Sequence, residues 1–238
     1  MSFLDDWIKI AQQMLLGTSC ALCRAPADLD RNLCHDCATE LPWLVHACHH
    51  CGMPLTPTAS STTCRDCRQR PRFDHVVPGF VYEQPIRWMI ARLKFDGQLT
   101  YARLLGDLLA AHIRERLDEH GDVLPEQLIP VPLHRSGYRQ RGFNQAERLA
   151  RRLGGQLACP VEPRMVERGR ATERQSTLAA ERRAANMRDA FVCRGTLRAR
   201  HVAIVDDVMT TGHTVAALDR CLRAAGATRV DIYCVARA

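Results

Sequence analysis

The chain is nearly devoid of lysine: of its 33 cationic side chains only Lys9 and Lys94 are Lys, and the rest are Arg. Aromatic residues are scarce at 5%, with Trp7, Trp43 and Trp88 far apart, so no stretch offers successive bases a stacking platform. No apolar run approaches the ~20 residues of a membrane span. The absence of GxxxxGK[ST] excludes a Walker loop, and the absence of GxGxxG excludes the dinucleotide fingerprint. The opening MSFLDDWIKIAQQMLLG puts Asp5 and Asp6 where an export signal carries positive charge, so the expectation is a cytoplasmic chain. Phe3, Leu4, Trp7, Ile8, Ala11, Met14 and Leu15 recur at helical spacing and predict an amphipathic helix over 1–18, docked on its own protein. A membrane-surface helix fits less well, because the polar face carries a single Lys.

What is present divides the chain. Its 238 residues are enough for one full core plus a small module, and a formal charge of +7 is compatible with phosphate-bearing partners without requiring them. Twelve cysteines occur, and the first eight form four CxxC pairs: Cys20/Cys23, Cys34/Cys37, Cys48/Cys51 and Cys64/Cys67. Two residues between thiols allow a tight turn to aim both sulfurs at one tetrahedral ion, so the set predicts two four-thiolate sites over 19–72. Zinc is the preferred ion, ahead of an iron–sulfur cluster and of disulfides. Spacing does not decide whether consecutive pairs share an ion or interleave. His35, His49 and His50 are read as surface histidines, since eight thiolates already complete two sites. Cys159, Cys193, Cys221 and Cys234 are read as small apolar residues. Two zinc ions with eight thiolates would lower the net charge by four, and the surviving positive excess lies between His134 and Arg200.

From residue 73 to 238 strands alternate with helices, which predicts an α/β domain with a mostly parallel sheet flanked by helices. HVVPGFVY reads as a strand, Pro85 to Lys94 as a short helix broken by Gly97, and the stripe Tyr101, Leu104, Leu105, Leu108, Leu109 and Ile113 as a longer one. Strands are expected near 128–131, 161–166, 191–193, 201–206 and 229–235, and a helix near 144–153 that Gly154 and Gly155 end.

Within this domain VAIVDDVMTTGHTV, Val202 to Val215, reads as a buried strand, a loop and the start of a helix. Ligands of open α/β sheets sit beyond the carboxyl ends of strands, where a helix N-terminus offers N–H groups to an anion. Gly212 permits close approach, and Thr210, Thr211 and Thr214 add hydroxyls, a combination suited to phosphate. Asp206 and Asp207 would repel a phosphate; they fit sugar hydroxyls, or a Mg²⁺ that offsets charge. A ribose 5-phosphate carries both features.

The stretch VAIVDDVMTTGHT closely resembles the phosphoribosyl-pyrophosphate signature of type I phosphoribosyltransferases. That resemblance implies that Asp206 and Asp207 engage the ribose hydroxyls while Val208, Met209, Thr210, Thr211, Gly212, His213 and Thr214 wrap the 5-phosphate. PVPLHRSGYRQRGFNQAERLA resembles the RGFNQ motif of the ComF family, with Arg135, Arg139 and Arg141 presented by a loop as a pyrophosphate cradle and Asn144 with Glu147 capping the next helix. RATERQSTLAAERRAANMRDAF resembles the same family at Thr172, Gln175, Leu178, Arg182 or Arg183, Asn186 and Phe191; it reads as a lid contributing Arg174, or as an exposed basic helix. The family combines an N-terminal cysteine module with a phosphoribosyltransferase domain, the order seen here.

Two functions follow from the resemblance. One is an enzyme that displaces pyrophosphate from phosphoribosyl pyrophosphate with Mg²⁺, its acceptor unidentified. The other is a non-catalytic adaptor of DNA uptake that keeps the sugar-phosphate site, binds single-stranded DNA and works with DNA-uptake proteins. The scarcity of aromatics weighs against direct DNA binding. Oligomeric state is not legible.

Overall fold

The computed structural model describes residues 19–27, 32–56, 58, 61–169 and 190–238. The helix predicted over 1–18, and Thr172, Arg174, Gln175, Leu178, Arg182, Arg183 and Asn186, lie outside the described residues. The chain forms two compact units, Met1–Pro42 and Trp43–Ala238. The first contains Cys20, Cys23, Cys34 and Cys37, with the one-turn helix α1 (His35–Thr39) following Cys34. The second contains the remaining CxxC pairs, helix α2 (Arg65–Gln69) and all the strands of the sheet. The compact units therefore divide before the second thiolate set, whereas the change of sequence pattern falls after it, near residue 72.

Four strands form one parallel sheet in the order β1 (His75–Val81), β6 (Arg229–Arg237), β5 (His201–Met209), β2 (Gln127–Pro130). The two central strands are apolar on both faces: Val202 to Val205 and Ile232 to Ala236 are buried throughout. This is the pattern of a sheet covered on both sides. Helix α4 (Leu99–His120) buries its predicted leucine stripe against β1 and β6, and α6 (Gln145–Leu157) packs on β2, β5 and α4. Helix α7 (His213–Ala224) packs on β5 and β6. A separate antiparallel pair, β3 (Val166–Arg168) and β4 (Phe191–Cys193), lies beside α7. Helix α3 (Ile86–Asp96) starts after Pro85 and stops at Gly97, φ 64°, as its sequence predicts.

Three local expectations are corrected. Helix α6 does not end at Gly154 and Gly155 but runs through them to Leu157. A Cβ on Gly154 would lie 2.5 Å from Val161 Cγ2 and 2.6 Å from the Cys159 carbonyl, so this glycine serves close packing and not termination. The strand expected over 161–166 reduces to one bridge, Val161 to Leu128, and the short β3. Pro160 and Pro163 remove the N–H groups a longer ladder would need. Residues 135–141 are not a loop but a short helix, α5 (Arg135–Arg141), whose N-cap His134 accepts the Ser136 N–H at 3.2 Å.

Candidate functional site

Pairing of Pro130 with Val205 brings the carboxyl ends of β2 and β5 side by side, and the Val131 N–H donates to the Val205 carbonyl at 2.9 Å. The two arginine- and threonine-bearing segments thus leave the sheet at one edge, where ligands of parallel sheets collect.

Strand β5 continues through both acids to Met209, further than the sequence predicts. Asp206 Oδ1 accepts the Asp207 N–H at 2.9 Å, and Asp207 Oδ1 accepts the Val208 N–H at 2.7 Å. The Lys94 ammonium, from α3, pairs with Asp207 Oδ2 at 2.9 Å; Asp207 is buried. Asp206 makes no ion pair among the described residues. Desolvation, reinforced by the charge of Asp207, pushes its carboxyl up to about 8, while Lys94 opposes the shift. Asp206 therefore holds a proton near neutrality, and Asp207 is ion-paired with Lys94.

The loop beyond is fixed from behind. Gly212 is the N-cap of α7 at φ 77°, a left-handed conformation suited to glycine, and it supplies no capping side chain. The first N–H groups of a helix have no intrahelical acceptor, so this turn presents donors and positive dipole to an anion. Phe73 and Met209 pack beneath Gly212. Arg237, buried at the end of β6, donates through Nη1 to the Met209 carbonyl at 2.9 Å and to those of Thr210 and Ala238. Arg72 donates to the Thr211 carbonyl at 3.2 Å. Thr210, Thr211 and His213 are exposed. Thr211 Oγ1 and His213 Nδ1 are 2.7 Å apart. Met209 is buried and backs the loop, Val208 and Thr214 are half-buried, and Gly212 is buried.

The arginines of the predicted pyrophosphate cradle are not brought together as one set. Arg135 lines a cavity of about 510 Å³, with Tyr138, Asn144, Glu147, Arg164, Glu167, Arg168 and Arg194 among its walls. Arg139 is exposed on α5. Arg141 turns towards α3, its guanidinium 5.5 Å from the Phe95 ring centre and 3.2 Å from Gln145 Oε1. Arg174 lies outside the described residues. Asn144 caps α6 as predicted, accepting the Ala146 N–H at 3.0 Å, but Glu147 pairs with Arg151 at 2.7 Å and does not return to the cap.

Sequence reasoning missed Lys94, Arg168, Arg72 and Arg237. Arg168 lines the cavity; burial lowers its pKa, and the negative charge of Asp206 opposes that shift, so it links the cavity to the acid pair. For Lys94 the available signal was its rarity in an Arg-rich chain. No local pattern tied any of the four to the acid–threonine segment.

The cysteines group consecutively: Cys20, Cys23, Cys34 and Cys37 form one set and Cys48, Cys51, Cys64 and Cys67 the other, the sulfurs within each set lying within 4.8 Å of one another. Interleaving is excluded. Tetrahedral Zn–S bonds of ~2.3 Å require sulfurs about 3.8 Å apart. Cys23 and Cys34 are separated by 3.6 Å and Cys51 and Cys64 by 3.8 Å, so both sets fit the ion. The Cys64 N–H donates to Cys48 Sγ at 3.3 Å, stabilising a thiolate. His49 and His50 are not ligands, nor are they free surface groups: His49 meets His120 at 3.1 Å and His50 contacts the Phe73 carbonyl at 2.8 Å.

Fold and site together define a double zinc ribbon combined with a phosphoribosyltransferase domain, and family models with those descriptions match residues 11–68 and 137–238. The DNA utilization protein YhgH of Escherichia coli K12 is 34% identical over 92% of this chain and 96% of its own. Competence protein F of Haemophilus influenzae shows the same identity and coverage, and competence protein ComFC of Streptococcus pneumoniae is 27% identical over 87% and 89%. The chain belongs to this ComF/YhgH family. A purine phosphoribosyltransferase structure from Pyrococcus horikoshii aligns over 56% of this chain and 73% of its own, at 24% identity and TM-score 0.33. No helix among the described residues is long and apolar enough to cross a membrane.

Proposed function

We propose that the protein binds phosphoribosyl pyrophosphate at the carboxyl end of β5 and transfers its phosphoribosyl group to an acceptor, as a cytoplasmic component of competence or DNA utilization. The observation that carries this reading is the continuity of Asp206, Asp207 and the Gly212-capped turn: diol acceptors and phosphate donors follow one another on a single strand-to-helix junction. In this reading the ribose hydroxyls donate to the acids, the 5-phosphate lies on the Thr210–Thr214 turn, and Arg135 faces the pyrophosphate. Arg139, Arg141 and Arg174 remain candidates for the same group. Mg²⁺ would arrive with the diphosphate and offset its charge; the hard oxygen of Asp206 suits it, whereas Asp207 is already neutralised by Lys94. Positioning and charge stabilisation are what these residues supply to a displacement at C1.

Differential scanning fluorimetry with phosphoribosyl pyrophosphate and Mg²⁺ tests the site. The melting temperature should rise, and the rise should vanish in the double variant Asp206→Asn, Asp207→Asn. An undiminished rise in that variant would place the ligand elsewhere. Pyrophosphate release during a screen of nucleobases, amines and oligonucleotides tests turnover.

A second reading is a non-catalytic adaptor that retains the sugar-phosphate site and binds single-stranded DNA. Two observations favour it: the relatives carry DNA utilization and competence in their names, and Phe95 is 69% exposed beneath the Arg141 guanidinium, a pairing on which a base can stack. Salt-sensitive oligonucleotide binding without pyrophosphate release would favour this reading.

A further inference from the structure

The four cysteines outside the tetrads are not equivalent. Cys159 is buried and donates to the Pro125 carbonyl at 3.1 Å, and Cys234 is buried in β6. Cys193 and Cys221 instead face each other. Their Sγ atoms are 2.7 Å apart, well inside the ~3.5–4.0 Å at which unbonded heavy atoms rest. Cys193 Sγ also reaches the Cys221 carbonyl at 3.2 Å. Both are half-buried at the rim of the core beside Met165 and Ala225, with neither tetrad sharing their sulfurs. They join two elements: β4, hydrogen-bonded to the strand bearing Arg168, and α7, whose N-cap is Gly212.

We propose that Cys193 and Cys221 form a reversible dithiol–disulfide site whose oxidation staples the β3–β4 pair to α7. This goes beyond the sugar-phosphate reading and stands independently of it. The oxidant is a low-molecular-weight disulfide. The Cys221 thiolate attacks one of its sulfurs, breaking that S–S bond to give a mixed disulfide and one small thiolate, which takes up a proton. Cys193 then loses its proton, attacks the Cys221 sulfur, forms the protein disulfide and expels the second small thiol. Two protein thiols lose two electrons, and one small disulfide becomes two thiols. Burial, followed by the contact with Cys221, pushes the Cys193 thiol up to about 12, which disfavours its thiolate, so its attack waits until the mixed disulfide places an electrophilic sulfur against it. The closed loop spans a sequence separation of 28, so the bond would stabilise the fold by restricting the unfolded chain.

The test uses the full-length, zinc-loaded chain equilibrated in mixtures of reduced and oxidised glutathione, quenched by alkylation and mapped by peptide mass spectrometry. The peptides holding Cys193 and Cys221 should be found joined, lighter by two hydrogens than the two thiols, and separated again by dithiothreitol. Zinc content should be unchanged, and the melting temperature of the oxidised chain should rise by a few degrees, a rise absent from Cys193→Ala and Cys221→Ala. Recovery of both cysteines alkylated, of each carrying its own glutathione, or of the joined peptides only after zinc is lost would overturn the proposal. The wild-type peptide map decides even where a variant folds poorly.

Discussion

Lys94 Nζ lies 2.9 Å from Asp207 Oδ2, so one of the chain's two lysines neutralises a buried acid of the sugar-phosphate signature. The pair is mostly shielded, with side-chain exposures of 20% and 5%. Removing one partner of such a pair strands the other charge, whereas removing both does not. Lys94→Met should therefore destabilise the chain by about 2–3 kcal/mol, and Lys94→Met with Asp207→Asn should recover most of the loss. Thermal denaturation of the two single variants and the double variant, compared as a cycle, checks this. Additive losses would mean the pair does not interact.

The acid beside it gives a pH dependence of definite sign. Asp206 holds its proton up to about 8 in the folded chain, while an unfolded aspartate ionises near its ordinary value of 3.8. Between these values the folded state binds the extra proton, so this group's contribution makes stability fall as pH rises, and the decline levels off above about 8. In Asp206→Asn this component disappears, and the variant should be more stable than the parent chain above about pH 8. Denaturant titrations across the range provide the check. If binding of phosphoribosyl pyrophosphate with Mg²⁺ recruits the ionised form, it should release a proton near neutral pH, visible as a calorimetric heat that depends on the buffer.

Gly212 tests the turn itself. At φ 77°, an added Cβ would strain the backbone by about 1–2 kcal/mol and sit 3.0 Å from the Met209 methyl, which is a flexible neighbour. Gly212→Ala should fold and lose only a few degrees of melting temperature. The thermal shift given by phosphoribosyl pyrophosphate should nevertheless weaken at least about tenfold in ligand concentration, equivalent to ~1.4 kcal/mol. Retention of the full shift would show that the anion does not rest on this turn.

These residues also show why part of the molecule was legible in the sequence. The acids, the glycine and the threonines are contiguous, so a buried strand, a tight turn and a helix start could be read from one stretch, and the CxxC spacing carried the two thiolate sites in the same local way. Lys94, Arg72 and Arg237 reach the site from distant elements, and only the completed sheet places them there. The Arg135–Arg141 segment reads as a loop presenting its arginines, since no apolar period marks a helix there. A short helix instead sends Arg135 to the cavity and Arg141 to Phe95. Gly154 misled for another reason: the same residue ends helices and admits close neighbours, and only packing distinguishes the two uses.

Arg237 connects the second cysteine set with the turn that follows β5. Its Nε donates to the Cys51 carbonyl at 3.1 Å while its Nη1 holds the Met209 and Thr210 carbonyls. The Val76 N–H donates to the His49 carbonyl at 2.7 Å, which fixes the same cysteine turn to the sheet. Zinc held by Cys48, Cys51, Cys64 and Cys67 should therefore orient not only its own loop but the carbonyl that anchors Arg237. Loss of that ion should weaken the phosphoribosyl-pyrophosphate binding proposed above. Arg237→Lys, which keeps the charge but loses the planar fork, should have the same effect with zinc content unchanged. Zinc analysis should give two ions per parent chain and one in Cys67→Ser, and thermal shifts with ligand should be reduced in both Cys67→Ser and Arg237→Lys. An undiminished shift in Arg237→Lys would mean that its contacts with the Met209 and Thr210 carbonyls do not shape the proposed phosphate-binding turn.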